Sequence, residues 1–375
     1  MDRVVVAGGG PAGCIAARSA AASGGRPTLY EEHWRIGLPV QCAGLISKTG
    51  LDSIGVNYKG SILNEIRGAN IISNSSSLRV ESKETKAFVI NRAVFDALCA
   101  QSAEDEGAKI ILGRRAPKAC EGQTLIGADG VFSQTAKFYG FPAQTRIVSC
   151  YQAEFSKASL QEKHMVFVYL SKSLAPGFFG WVIPINEERV RVGLGVSQGK
   201  NPKKHFDMFA RTLHQDILAG AKQESALAGF IPLSPRPKTV KGRVMLVGDA
   251  AGQVKALSGG GVYFGCKCAS IAGRTAALHP EEAWRYELEW KRQFGRDLML
   301  HRVMRNSLDV LPESGVSLLI SFCRLLSAEK LLVRYGDMDS PTEIARAVKE
   351  DSVSSFSKRF NRISSIFTNV FQGYI

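Results

Sequence analysis

The sequence predicts an α/β fold, in which a Rossmann-like dinucleotide-binding domain is joined to an antiparallel-sheet domain and a C-terminal helical region. Three observations carry this. The apolar run Val4 to Ala7 meets Gly8-x-Gly10-x-x-Gly13 at the head of a small-residue helix. From Thr145 to Ser197 the pattern changes to long strands without crossover helices. The last hundred or so residues read as helices with no further glycine motif.

The N-terminal unit has a mechanical logic. The first glycine makes the tight turn, the second lets backbone approach a pyrophosphate, and Gly13 lets the helix pack closely on its strand. The helix end then offers N–H groups and positive potential to phosphate oxygens. A second strand, Pro27 to Tyr30, ends in Glu31, where a carboxylate should meet a ribose hydroxyl.

The chain then breaks into a loop, Gly37 to Leu45, and into extended segments from Asn57 to Lys86 that read as a small antiparallel sheet. Ile90-Asn91-Arg92 leads into a helix over 93–107, and strands follow at 109–112 and 124–130, the latter ending in the turn Gly127-Ala128-Asp129-Gly130. Met165 to Tyr169, Trp181 to Pro184 and Val190 to Val196 are the clearest strands of the antiparallel part, followed by a helix over about 203–222. Arg243 to Val247 returns as a buried strand running into Gly248-Asp249, and Gly259-Gly260-Gly261 opens a last small-residue helix over 262–277. The dinucleotide-binding domain is thus read as 1–56, 87–144 and 241–278. The antiparallel-sheet substrate domain takes 57–86 and 145–240, and the helical region 279–375.

At 375 residues with 45% hydrophobic and 22% charged content, the composition is that of a globular chain with a sizeable core. No apolar run reaches the ~18 residues that span a bilayer, and the first strand starts too early for a signal peptide, so a cytoplasmic location is expected. The eight cysteines are scattered without C-x-x-C or zinc spacing, which fits reduced thiols and predicts no metal site. The formal charge of +14 is concentrated in the body of the chain, because residues 279–375 carry 14 basic and 13 acidic side chains. No nucleic-acid signature accompanies it. Peripheral contact with an anionic membrane, at the inner face, is the partner that this charge suggests.

Four separated elements point to one ligand: the glycine motif with Glu31, the Arg92 segment, the Gly-Ala-Asp-Gly turn, and Gly248-Asp249 with the triple glycine. The combination resembles the flavoprotein superfamily of aromatic hydroxylases and related oxidoreductases, which implies an FAD-binding domain of the glutathione-reductase type. Three details narrow it: Gly37-x-Pro39-x-x-Cys42, Phe179-Gly180-Trp181-Val182-Ile183-Pro184 followed by Gly193-Leu194-Gly195, and the stretch Gln253 to Val262. Over about residues 1–275 the chain is similar to the geranylgeranyl reductase family, particularly its archaeal lipid-reducing members.

That resemblance implies FAD contacts at Ala12, Glu31, Cys42, Ala43, Leu45, Arg92, Ala116, Asp249, Gly261 and Val262, beside the candidates Gly8, Gly10, Gly13 and Gly260 that the glycine turns themselves supply. It also implies a chemistry: an isolated alkene is protonated on one carbon while the flavin delivers hydride to the other, in a dry apolar channel. Tyr169, Phe178, Phe179, Trp181 and Pro184 are the candidate lining, though each also suits a sheet core. Cys42 is the candidate gate or proton donor. The chain departs from the family at Cys42-Ala43-Gly44-Leu45, where Cys-Gly-Glu-Gly is usual, at Ile183 for Phe, at Phe179, which lacks a hydroxyl, and at Lys255, in a stretch that often holds proline. Lys255 reads as a partner for an anionic head group or reduced flavin, or as a surface lysine.

No second strand–glycine–helix unit appears, so no separate nicotinamide domain is expected. The electron donor stays open between visiting NAD(P)H, a reduced ferredoxin and a reduced deazaflavin. A polyprenyl membrane lipid is the expected substrate. Hydroxylation, halogenation or quinone reduction on the same scaffold is the alternative, with a non-enzymatic flavin electron carrier as a third class. Phe356, Phe360, Ile363, Phe367 and Val370 form an apolar helix stripe near Lys358, Arg359 and Arg362, suited to core packing, oligomerisation or a membrane surface.

Overall fold

The computed structural model describes residues 3–343 and 346, apart from 75, 119–121 and 337; the apolar stripe from Phe356 lies outside them. In chain order the elements are β1 (Arg3–Ala7), α1 (Pro11–Ala22), β2 (Arg26–Tyr30), β3 (Leu45–Ser47), α2 (Lys48–Ile54), β4 (Ile62–Ile66), β5 (Gly68–Ser73), β6 (Ser76–Glu81), β7 (Ala87–Ile90), α3 (Arg92–Asp105), β8 (Lys109–Ile111), β9 (Thr124–Gly127) and α4 (Gln134–Phe138). There follow β10 (Ile147–Ser156), β11 (Met165–Tyr169), β12 (Gly180–Pro184), β13 (Val190–Ser197), α5 (Pro202–Leu213), β14 (Lys222–Pro232), β15 (Val240–Lys241), β16 (Val244–Leu246), α6 (Val262–Leu278), α7 (Trp284–Val310), α8 (Glu313–Leu325) and α9 (Ala328–Tyr335).

One six-stranded sheet runs β15-β16-β9-β1-β2-β8 and is parallel except at β15. Its central strands β1, β9 and β16 are short runs buried on both faces, as the middle of a parallel sheet requires, while β2, β8 and β15 toward the edges are only partly covered. Helices α1 and α6 pack together over it, and small residues let their backbones approach. A Cβ on Gly273 would stand 2.2 Å from the Ala16 carbonyl oxygen. Ile15, Leu29, Ile126, Phe264 and Tyr286 fill the core around them.

The second sheet is seven-stranded, β14-β10-β13-β12-β11-β5-β6, antiparallel except between β11 and β5. A third sheet, β3-β7-β4, bridges the two. This corrects the reading of 57–86 as one small sheet. Only β4 joins the three-stranded sheet, while β5 and β6 extend the large one because β5 finds its partner in β11.

One further expectation changes. The helix expected to about 222 stops at Leu213, where Leu218 turns back into the core and donates its N–H to the Leu213 carbonyl. Beyond it lies β14, a long edge strand pairing with β10. The described part of the C-terminal region is helical, with α7 lying along the first core and α8 and α9 on β6.

Candidate active site

A single cavity of about 1490 Å³ opens between the parallel sheet and the large antiparallel sheet. It exceeds the ~300–1,000 Å³ of an ordinary ligand pocket, so it has room for a dinucleotide and a second ligand together. Every predicted cofactor residue except Gly13 lines it.

The glycine turn divides its labour as its spacing demands. Gly8 has φ +104, and a Cβ there would stand 2.4 Å from the Ala128 carbonyl oxygen. A Cβ on Gly13 would fall 1.9 Å from the Gly8 carbonyl oxygen, so Gly13 serves packing and not the cavity. Gly10 differs: nothing lies within 4 Å of its Cβ position, so the open space above its backbone is the cavity itself. Glu31 braces the turn by accepting the Gly9 N–H at 2.7 Å, while its other oxygen takes the His33 N–H at 2.9 Å.

Across the cavity, the Gly248-Asp249 turn is held from beneath. The Gly248 N–H donates to Gln253, whose amide donates to the Tyr286 hydroxyl, which donates to the Leu246 carbonyl. This buried chain fixes the turn against the start of α6, where a Cβ on Gly261 would lie 2.9 Å from the Asp249 carboxylate. Burial pushes the Asp249 carboxyl up to about 6, with Arg92 working in the opposite direction. Arg92 bonds Asp96 one turn along α3, at 2.8 and 3.0 Å, and reaches the Cys42 thiol. Burial opposes its charge, yet Cys42 and Asp96 outweigh that and hold the guanidinium well above its usual range.

The departure at Gly44 has a physical reason. Gly44 sits at φ +71, and a Cβ there would collide with Arg191, 2.6 Å away. Arg191 is buried, pairs with Glu154 at 2.7 Å and caps the Ala43 and Ile90 carbonyls. Sequence reasoning missed this brace, because Arg191 looks like an outward residue of an alternating strand.

The second half of the cavity is walled by Phe178, Phe179, Trp181 and Ile183. Phe178 and Phe179 stack at 4.2 Å, and Phe179 meets Trp181 edge-on at 5.8 Å. The Gly193-x-Gly195 pair explains itself here: a Cβ on either would stand 2.6 Å from Trp181 or Phe178 respectively. Trp181 donates its indole N–H to Gln152 at 2.9 Å, a partner that sequence alone did not indicate. Tyr169 and Pro184 fall outside the cavity lining. Tyr169 turns to the other face of the sheet and packs on Phe209 of α5 at 5.0 Å, and Pro184 is buried with its carbonyl accepting from Asn64.

Lys255 is no surface lysine. It is 5% exposed, lines the cavity, and pairs with buried Asp339 at 2.5 Å.

Among the described residues no group of His, Cys, Asp or Glu could hold a metal ion, and no helix is long and apolar enough to cross a membrane. The seven described cysteines are unpaired. The residues fit FAD: an open glycine backbone at a helix start, a carboxylate at the end of β2, and a second helix N-terminus across the cavity. Fold and site together define a dinucleotide-dependent oxidoreductase whose cofactor cradle opens into an apolar chamber.

Known proteins agree. The geranylgeranyl reductase catalytic domain family matches residues 146–229. The chain is 31% identical to an uncharacterized protein of Methanocaldococcus jannaschii, covering 91% of this chain and 93% of that one. It is 30% identical to a digeranylgeranylglycerophospholipid reductase of Methanococcus aeolicus, covering 79% and 83%. A geranylgeranyl bacteriochlorophyll reductase-like structure from Thermoplasma acidophilum superposes with a TM-score of 0.76 at 24% identity, covering 96% and 98%. The chain belongs to the geranylgeranyl reductase family, and is an FAD-dependent oxidoreductase acting on carbon–carbon double bonds.

Proposed function

We propose that this protein saturates the isoprenoid double bonds of geranylgeranylated membrane lipids, of the digeranylgeranylglycerophospholipid class. One observation carries the reading: a dinucleotide cradle and an aromatic-walled apolar chamber share one continuous cavity.

Bound FAD supplies the hydride chemistry. The chain's residues do the rest. The backbone at Gly10 and the start of α1 receive the diphosphate, and Glu31 takes the ribose. The N-terminus of α6, at Gly261 and Val262, would offer its positive end to negative charge on the bound flavin. Phe178, Phe179, Trp181 and Ile183 exclude water and hold the chain of the lipid at a fixed angle. Cys42, beside Arg92, is assigned to gating or proton supply. Unchanged turnover in a Cys42→Ala protein that keeps its FAD would remove that role.

The test is anaerobic. Pre-reduced FAD-loaded protein should be reoxidised by added geranylgeranyl lipid without oxygen. Reoxidation that needs oxygen would favour a hydroxylase or halogenase, and none at all would favour an electron carrier. Running the reduction separately with NAD(P)H, reduced ferredoxin and reduced deazaflavin identifies the donor.

A further inference from the structure

The far wall of the apolar chamber comes from the C-terminal helices. Leu332 and Val333 of α9, Gly336, Met338, Asp339 and Pro341 all line the cavity. The apolar anchoring of the helix rests on Leu332, packed against Leu78 of β6 and Val316 and Ile320 of α8. No described side chain of α9 is fully buried, and the helix starts at Ser327, a non-glycine residue at φ +57, where the chain turns sharply out of α8. Polar clasps add to this packing. Asp339 pairs with Lys255 at 2.5 Å and accepts from Ser47 at the start of α2, while Asp297 of α7 accepts from the Thr342 N–H at 3.1 Å and its hydroxyl at 2.7 Å.

Lys255 occupies the sensitive end of this arrangement. Its stem lies against Gly260, whose Cβ position is 2.7 Å from Lys255 Cε, so the ammonium sits between the glycine turn and the C-terminal segment. It donates also to the Met338 carbonyl at 3.3 Å. Both charges of the pair are nearly excluded from water, and a buried pair contributes little net stability while the loss of one partner is costly. Such a pair suits a contact that must form in one register and be released, better than it suits a permanent fastening.

We propose that Lys255 and Asp339 gate the substrate chamber: their ion pair latches α9 and residues 338–342 closed over it, and a long apolar ligand enters and leaves when the latch parts. The ligand part of this rests on the lipid reading above; the latch does not.

Hydrogen exchange of the FAD-loaded protein separates the two. Lys255→Met and Asp339→Asn each leave one buried charge without its partner. Each should raise exchange of the α9 amides at least tenfold (about 1.4 kcal/mol of local opening), with β1 and α6 unchanged. The double variant Lys255→Met/Asp339→Leu replaces the ion pair with an apolar contact between the same two positions, leaves no unpaired charge, and should return α9 toward the parent rate. Unchanged α9 exchange in both single variants, or a rise spread equally through β1 and α6, overturns the latch. Release of a fluorescent C20 polyprenyl ether should quicken in the single variants and recover in the double variant. If the parent protein does not bind that ether the lipid reading fails, while the exchange data still decide the latch. Bound ether that leaves all variants at the parent rate overturns the gate.

Discussion

Trp181 lies against Gly193, whose Cβ position is 2.6 Å from the indole, and its ring N–H on that same edge donates to Gln152, the residue paired with Gly193 across β10 and β13. The aromatic-x-Trp…Gly-x-Gly signature is therefore a packing device that fixes the chamber wall. Gly193→Ala should destabilise the fold by about 1–3 kcal/mol, as overpacking does, and should weaken lipid binding as the indole is displaced. Thermal unfolding with a binding titration checks it; an unaltered midpoint and affinity would show that the indole has room to spare.

The glycines of the N-terminal turn should separate cleanly. Gly10→Val adds atoms only to the open cavity, so the cofactor-free protein should unfold within ~0.5 kcal/mol of its parent while FAD is lost. Gly13→Ala drives a methyl into the Gly8 carbonyl and should damage folding itself. Flavin content measured beside thermal unfolding distinguishes them. Loss of stability in Gly10→Val with FAD retained would reverse the assignment.

Asp249 gives a pH signature. In the folded cofactor-free protein burial raises its carboxyl from 3.8 to about 6. Between those values the folded state binds more protons than the unfolded state, so stability falls as pH rises through the window and stays lower above it. The cost is about 3 kcal/mol above pH 6. Asp249→Asn should therefore gain on the parent as pH rises from 4 to 7, measured by urea unfolding. A stability difference constant across that range would rule the burial argument out.

Tyr169 and Trp181 were candidates of equal standing in the sequence, and the structure places them on opposite faces of one sheet. Tyr169→Phe should leave turnover within about twofold. Trp181→Ala should raise KM roughly tenfold, about 1.4 kcal/mol. Steady-state kinetics on both variants decides; equal effects would mean that the chamber is drawn in the wrong place.

Much of the frame was legible because it is local. A buried run followed by glycines and a small-residue helix can hardly be anything but a tight strand-to-helix turn. The misses are long-range or polar. β14 begins Lys222-Gln223-Glu224-Ser225 and is largely exposed, so it carries no hydrophobic alternation until Leu227. β5 gives no sign that its partner is β11, nearly a hundred residues on. Apolar Ile217, Leu218 and Ala219 kept a helical period alive past the real end of α5. At the site, Asp339 lies 84 residues from Lys255, and only folding turns a supposed surface lysine into a buried pair.

Mass spectrometry of the lipid decides whether the protein saturates isoprenoid double bonds. FAD-loaded protein, chemically reduced under strict exclusion of oxygen, is incubated with a digeranylgeranylglycerophospholipid and the lipid is re-extracted. The product should be heavier by two hydrogens for each double bond reduced. Recovery of unchanged lipid from protein that holds reduced FAD, or a product that appears only in air and carries an added oxygen, would contradict that activity.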